Sequence, residues 1–192
     1  MQNHKDIIVN YNAFDILSAL PQYDAPADHW ADVSACTINE CNEISNILNL
    51  DLPIISILYF RMGKSFRSFI HKDASVYPPP YTLTYALNLP LSNCSDVYMK
   101  WFNQSSPDNV ISAFPGPSTG AKTPMLDYND AICIDTMHCI SSKLVKVDDW
   151  HSIENQSNDS CEYLISIRFA SNVNPSMDLP MSKWLLEVGS NH

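Results

Sequence analysis

Apolar runs divided by turn-forming clusters dominate the middle of this chain. From Leu52 onward the segments "LPIISILYFRM", "SFRSFIHKD", "YTLTYALNLPL", "DVYMKWFN", "AICIDTM", "SKLVKVDDW" and "CEYLISIRFA" are rich in β-branched and aromatic residues. Such residues suit a pleated, half-buried surface. The separators "YPPPY", "NQSSPDN", "FPGPSTGAKTP" and "ENQSNDS" carry the Pro, Gly, Asn and Ser chemistry of turns. About seven strands spaced in this way predict an antiparallel sandwich or barrel. The intervals show no helical period, which argues against a parallel α/β sheet. A double sheet of jelly-roll type fits best.

The first 50 residues read differently. "KDIIVNY" predicts a short strand. In "TINECNEISNILNL", Ile38, Cys41, Ile44, Ile47 and Leu48 recur at helical spacing, and Thr37 with Glu40 forms a capping-box signature. That helix is expected against the outside of a sheet, and "MSKWLLEV" predicts another near the C-terminus. The expected organisation is a single domain over 1–192. Residues 1–50 form a mixed extension packed on the sheet, 52–170 the jelly-roll core and 171–192 a C-terminal segment. "FPGPSTGAKTP" is the expected mobile loop.

Composition narrows the function classes. An apolar fraction of 45% with four Trp, nine Tyr and seven Phe predicts a packed core rather than disorder. A formal charge of −10 argues against nucleic acid and against an anionic membrane surface as partners. The longest apolar run, Leu52 to Phe60, is too short to span a bilayer, and no signal sequence opens the chain. The expected location is cytoplasmic, as a soluble intracellular protein. The six cysteines (Cys36, Cys41, Cys94, Cys133, Cys139, Cys161) lack C-x-x-C spacing. They read as reduced, small core residues rather than disulfides or a zinc site.

Chemistry concentrates in two places. "FIHKDAS" sets His71 and Asp73 two residues apart, so that a strand would project both from one face. A strand-end histidine followed by a turn-starting aspartate explains the same pair without chemistry. "VDDWHSIENQS" places His151 at the end of a strand-like run, and "ISIRF" sets Arg168 in an apolar strand. There Leu164, Ser166 and Arg168 share one face and Ile165, Ile167 and Phe169 the other. An arginine in such a strand is costly unless an anion meets it or the strand is an edge that turns it to water. Two imidazoles and one carboxylate would satisfy the 2-His-1-carboxylate arrangement of non-haem Fe(II) oxygenases, which leaves open positions on the metal. A planar guanidinium suits a co-substrate carboxylate.

The ordered set "FIHKDAS", "YALNLPLSNC…YMKWF" and "DDWHSIENQS…ISIRF", spanning roughly residues 54–170, resembles the small 2-oxoglutarate/Fe(II)-dependent oxygenases, with their His-x-Asp, distal His and following Arg. That resemblance implies a mainly β fold, the double-stranded β-helix (a distorted, cupin-like jelly roll). It implies His71, Asp73 and His151 as iron ligands and Arg168 as the anchor for the distal carboxylate of 2-oxoglutarate. Ser166, Asn88 and Tyr59 are candidate contacts to that co-substrate. Ser166 precedes Arg168, whereas the family's serine often follows its arginine, and Asn88 and Tyr59 could equally serve a strand end and the core. The implied reaction oxidises a C–H bond of a small molecule or peptide with O2 and 2-oxoglutarate, releasing succinate and CO2. Asp73 occupies the position where related halogenases carry a small residue, so hydroxylation is expected rather than halogenation. Two other readings remain open at this stage: a non-catalytic jelly-roll binding or structural module, and a cupin-like metal oxygenase that does not use 2-oxoglutarate. Trp101 and Trp150 read as core or pocket wall, His138 as a structural histidine, His4 and His192 as solvated, and His29 beside Trp30 as part of an N-terminal lid. The "YPPPY" and "FPGPSTGAKTP" loops are expected to border the entrance.

Overall fold

The computed structural model describes residues 3–20, 31–49, 54–73, 85–92, 94–106, 110–115, 122–158 and 162–169. The chain begins with β1 (His4–Asp6), α1 (Ala13–Ala19), β2 (Ala31–Ala35) and α2 (Ile38–Leu48). Then follow β3 (Ile54–Met62), β4 (Ile70–His71), β5 (Tyr85–Pro90), β6 (Val97–Gln104), β7 (Val110–Pro115) and β8 (Lys122–Leu126). The last four strands are β9 (Ala131–His138), β10 (Lys143–Lys146), β11 (His151–Asn155) and β12 (Glu162–Phe169).

These strands form two six-stranded sheets, ordered β1-β10-β5-β12-β3-β2 and β7-β8-β4-β11-β6-β9. Every described pairing is antiparallel. The fold is mainly β with few helices. From β3 to β6 the chain alternates between the sheets, and it does so again from β9 to β12. Residues far apart in sequence therefore become neighbours: β12 lies between β3 and β5, and β11 between β4 and β6.

The period of two on β12 decides where its side chains go. Leu164 turns into the space between the sheets, packed with Met62, Ala86 and Val145 of one and Met99, Trp101 and Ile153 of the other. Ile165 and Ile167 turn to the opposite face, against Ile57, Leu87 and Leu89, where Ile16 of α1 and Ile44 and Leu48 of α2 cover them. β12 is thus buried on both sides, which explains its nearly continuous apolar run. A smaller cluster joins Ile70, Phe102, Leu126 and Trp150.

The α2 helix starts as its sequence requires. The Thr37 side chain accepts from the Glu40 amide, and the Glu40 carboxylate accepts from the Thr37 amide at 2.5 Å. Asn49 ends the helix in the left-handed region at φ 51°, a conformation asparagine tolerates. Other elements depart from expectation. The "KDIIVNY" strand shrinks to His4–Asp6, and α1, capped by Asn12 on the Phe14 amide, carries too short an apolar pattern to stand out. The "SFRSFIHKD" strand reduces to Ile70–His71 and an isolated bridge between Arg67 and Glu154. Strands β2, β7, β8 and β11 fall outside the predicted runs, and the end of β11 lies in the expected separator "ENQSNDS". β7 and β8 carry Pro115 and Pro124, and proline demotes a segment in any strand reading, although β7 is at the end of its sheet and Pro124 of β8 lies outside the two residues that pair with β4. Within "FPGPSTGAKTP", 114–115 and 122–124 belong to this pair of strands, and 116–121 lie outside the described residues. So do the expected "MSKWLLEV" helix and "YPPPY". Among the described residues no helix is long and apolar enough to cross a membrane.

Candidate metal centre

The second sheet brings the two histidines together. His71 is the last residue of β4 and His151 the first of β11, and the antiparallel register sets them directly opposite one another. Two expectations change here. His151 opens a strand instead of closing one, because the polar turn before it lies at Asp148–Trp150 and "HSIEN" pairs with β4 and β6. Nor do His71 and Asp73 share a strand face, since the ladder stops at His71. Asp73 is held beyond it by its own amide, which donates to the Val147 carbonyl at 2.9 Å. The first sheet supplies Arg168 from β12, opposite Ala86 on one side and Ser56 on the other, with a bulge immediately after it.

The side chains then converge. Asp73 Oδ1 lies 3.2 Å from His71 Nε2 and 3.8 Å from His151 Nε2, and the imidazole centroids are 4.5 Å apart. One ligand atom from each of the three residues falls within 4.8 Å of the others. Two ligands at right angles on a cation with bonds of about 2.1 Å stand roughly 3.0 Å apart, so the His71–Asp73 spacing already suits one ion, while the wider separations would have to close around it. The far sides of the rings settle which nitrogens are available. His71 Nδ1 lies 3.0 Å from the Phe69 carbonyl and His151 Nδ1 2.9 Å from the Asp149 carbonyl. A carbonyl can only accept, so each Nδ1 carries a proton, and in the neutral ring each Nε2 presents its lone pair toward Asp73. The donor set, two imidazoles and one carboxylate, fits Fe(II) and similar divalent ions.

Arg168 closes the other side of the carboxylate. Its Nη2 and Nε donate to Asp73 Oδ2 at 2.6 and 3.2 Å, and its Nη1 donates to the Ser166 carbonyl at 3.1 Å. Both partners are nine-tenths buried or more, Arg168 at 4% and Asp73 at 6% exposure. Burial alone would raise the Asp73 pKa. Arg168, followed by His71 and His151, overcomes that and holds the carboxyl well below the usual carboxylate range. At His71 burial also opposes the charged form, yet the hydrogen bond and charge of Asp73 outweigh it and raise the pKa. His151 goes the other way: burial, reinforced by the His71 charge, lowers it to about 4. The two rings thus shift in opposite directions, and without a metal His71 is the one that takes up a proton more readily.

The co-substrate candidates divide between the two faces of the first sheet. Asn88 and Ser166 face each other in register on β5 and β12. The Ser166 hydroxyl donates to Asn88 Oδ1 at 2.5 Å, and the Asn88 amide reaches Met99 Sδ at 3.7 Å, between the sheets. They share the Arg168 face. Tyr59 pairs with Ile165, stacks on Tyr163 and belongs to the helix-covered core, so the structure does not bring it to the cluster.

Trp101 is fully buried and donates to the Lys146 carbonyl, and Trp150 packs with Ile70, Phe102 and Leu126 beneath Lys72. His138 bonds the Ser95 carbonyl and stacks on Tyr98. His4 is not solvated as expected, because it stacks on Trp101. Cys94 and Cys139 are buried, whereas Cys133 is exposed on the edge strand β9. His29, Trp30, Cys161 and His192 lie outside the described residues. What sequence reading missed are the carbonyls of Phe69, Asp149 and Val147, which carry no residue-type signal, and the Arg168–Asp73 pair. The apolar setting of Arg168 in "ISIRF", which calls for an anion, could have suggested that pair.

No family model and no curated protein matches the sequence. Solved structures similar to the chain include the apo form of a non-heme monooxygenase, ThoJ (12% identity, TM-score 0.38, 71% of this chain and 54% of that one). An oxidoreductase of the 2OG-Fe(II) oxygenase family from Burkholderia pseudomallei is similar at 11% identity and TM-score 0.32, over 71% of this chain and 53% of that one. Vicilin from hazelnut, Corylus avellana, follows at 6% identity and TM-score 0.38, over 89% of this chain and 43% of that one. The chain thus spans about half the length of these structures or less, and likeness at this level carries no argument about the site.

Proposed function

We propose that this chain is a non-haem Fe(II)-dependent oxygenase on a double-stranded β-helix, with His71, Asp73 and His151 as metal ligands. The observation that carries the reading is the convergence of two imidazole Nε2 atoms on one carboxylate oxygen, with both Nδ1 protons fixed on backbone carbonyls. The fold proposal is supported by the alternation of β3 to β6 and β9 to β12 between the sheets, with β10-β5-β12-β3 facing β4-β11-β6-β9. Iron bound by this triad would activate O2 for C–H oxidation. The protein's own groups would hold the ligand geometry, with Asp73, His151 and Arg168 buried and His71 partly exposed. The substrate class is a small molecule or peptide, in keeping with a chain of net charge −10 that does not suit nucleic acid.

As co-substrate we propose 2-oxoglutarate, which with O2 and a C–H substrate gives succinate, CO2 and the hydroxylated product. Of the five N–H donors of arginine, Arg168 has three engaged among the described residues; in this reading the other two meet the distal carboxylate, with Ser166 and Asn88 on the same face. One observation favours a second reading. The Nε–Nη2 edge of Arg168 is already on Asp73, as suits a metal oxygenase that needs no 2-oxoglutarate. Anaerobic loading with Fe(II), followed by O2 and 2-oxoglutarate, separates the two. The first reading expects succinate from wild type and none from His71→Ala or Asp73→Ala. Iron binding without succinate leaves the second, and a wild-type chain that binds no iron removes both.

A further inference from the structure

The far side of the carboxylate is built as carefully as the near side. Asp73 Oδ2 accepts two donors from one guanidinium, and the third bond of that guanidinium, to the Ser166 carbonyl, fixes its plane against β12. The Asp73 main chain is tied separately to Val147. Backbone and distal oxygen are therefore both held, 95 residues of chain separating the clamp from its target. Only Oδ1 is left to face the imidazoles. We infer that Arg168 is a positioning residue of the metal centre, holding Asp73 so that Oδ1 alone meets the cation.

The inference rests on the metal centre proposed above but not on the choice of co-substrate. Rotation of Asp73 to offer both oxygens would strip a buried guanidinium of its anion, a costly exchange at this depth. The guanidinium is suited to the task because it has no lone pair with which to compete for the cation and cannot lose its proton. A lysine at this position would supply the charge as a point, without the planar fork that fixes the carboxylate's rotation. Arg168 touches neither the cation site nor a reacting atom, so its effect is on ligand geometry and affinity.

Co(II) is the probe, because its visible spectrum reports coordination geometry. Wild type, Arg168→Gln and Arg168→Lys are titrated with Co(II), with circular dichroism as the check of folding. Loss of such an outer partner weakens metal binding about 10- to 100-fold, and that loss is expected in Arg168→Gln together with a changed d–d spectrum. Arg168→Lys is expected to recover part of the affinity without recovering the wild-type spectrum. A folded Arg168→Gln with wild-type affinity and spectrum overturns the inference and leaves the metal centre standing, whereas a wild type that takes up no Co(II) overturns the metal centre first. If the variants do not fold, the wild-type protein decides. On loading with Zn(II), the Arg168 Nε–H is expected to stay slow to exchange with water by nitrogen-15 NMR, and its release by the metal overturns the inference.

Discussion

Replacing Asp73 with alanine in the metal-free protein isolates the clamp from the metal. The guanidinium of Arg168 then keeps only the Ser166 carbonyl among its described partners, at 4% exposure. Breaking one side of a buried pair costs about 3–5 kcal/mol. For a chain of this size each kcal/mol moves Tm by about 2–4 °C, so a fall of roughly 6–20 °C is expected. Removing the second charge as well, in Asp73→Ala/Arg168→Met, should restore most of that loss, since an apolar replacement of both partners is close to neutral. The assay is urea unfolding in the presence of a chelator. Because the Asp73 pKa is depressed in the folded state, its contribution is present above the unfolded value of about 3.9 and is lost only as pH falls below it. The difference between wild type and Asp73→Ala should therefore persist from neutral pH down to about 4, widening as pH falls through the ordinary histidine value because Asp73 raises the His71 pKa, and narrow below about 4. A loss under about 1 kcal/mol would refute the argument. So would a double variant less stable than the single one.

His71→Ala and His151→Ala should each abolish tight binding of one divalent ion, measured by calorimetric titration; retention by either would remove that residue from the ligand set. Metal affinity should fall about tenfold per pH unit once pH drops below the raised His71 pKa, because one proton must leave as the cation arrives. With His151 lowered to about 4, a slope of two protons between pH 5 and 7, a window around the ordinary histidine value of about 6.5, would contradict the assigned protonation. Ile165→Ala, at a fully buried position beneath both helices, should cost about 2–5 kcal/mol in urea unfolding. Thr37→Ala should cost about 1 kcal/mol through loss of the α2 cap, and an unchanged midpoint would show that the cap does not matter to folding.

Much of this architecture was legible because its signals are local. Apolar runs such as "YALNLP" and "EYLISIRF" became β5 and β12, and the Thr37–Glu40 box became the start of α2. What was not legible depends on partners. The ladder at β4 ends at His71 because its neighbours β11 and β8 leave it there, and nothing in "FIHKD" announces that. β7 and β8 were hidden by proline, a residue that reads as punctuation, although β7 closes its sheet and Pro124 of β8 falls outside the short pairing with β4. At the site, residue types and order pointed to His71, Asp73, His151 and Arg168. Which nitrogen is free, and that Arg168 grips Asp73, follow from backbone carbonyls and a contact across 95 positions. Tyr59 shows the limit of reading a strand alone, since the register with Ile165 turns it toward the helices.

The central claim is that three side chains from two strand ends and one turn hold a single cation. Anaerobic titration of the wild-type chain with Fe(II), read as bound metal per chain, tests it most directly. The expected result is one equivalent, lost in His151→Ala while the variant remains folded; no bound iron in wild type, or the same single equivalent in His151→Ala, would contradict it.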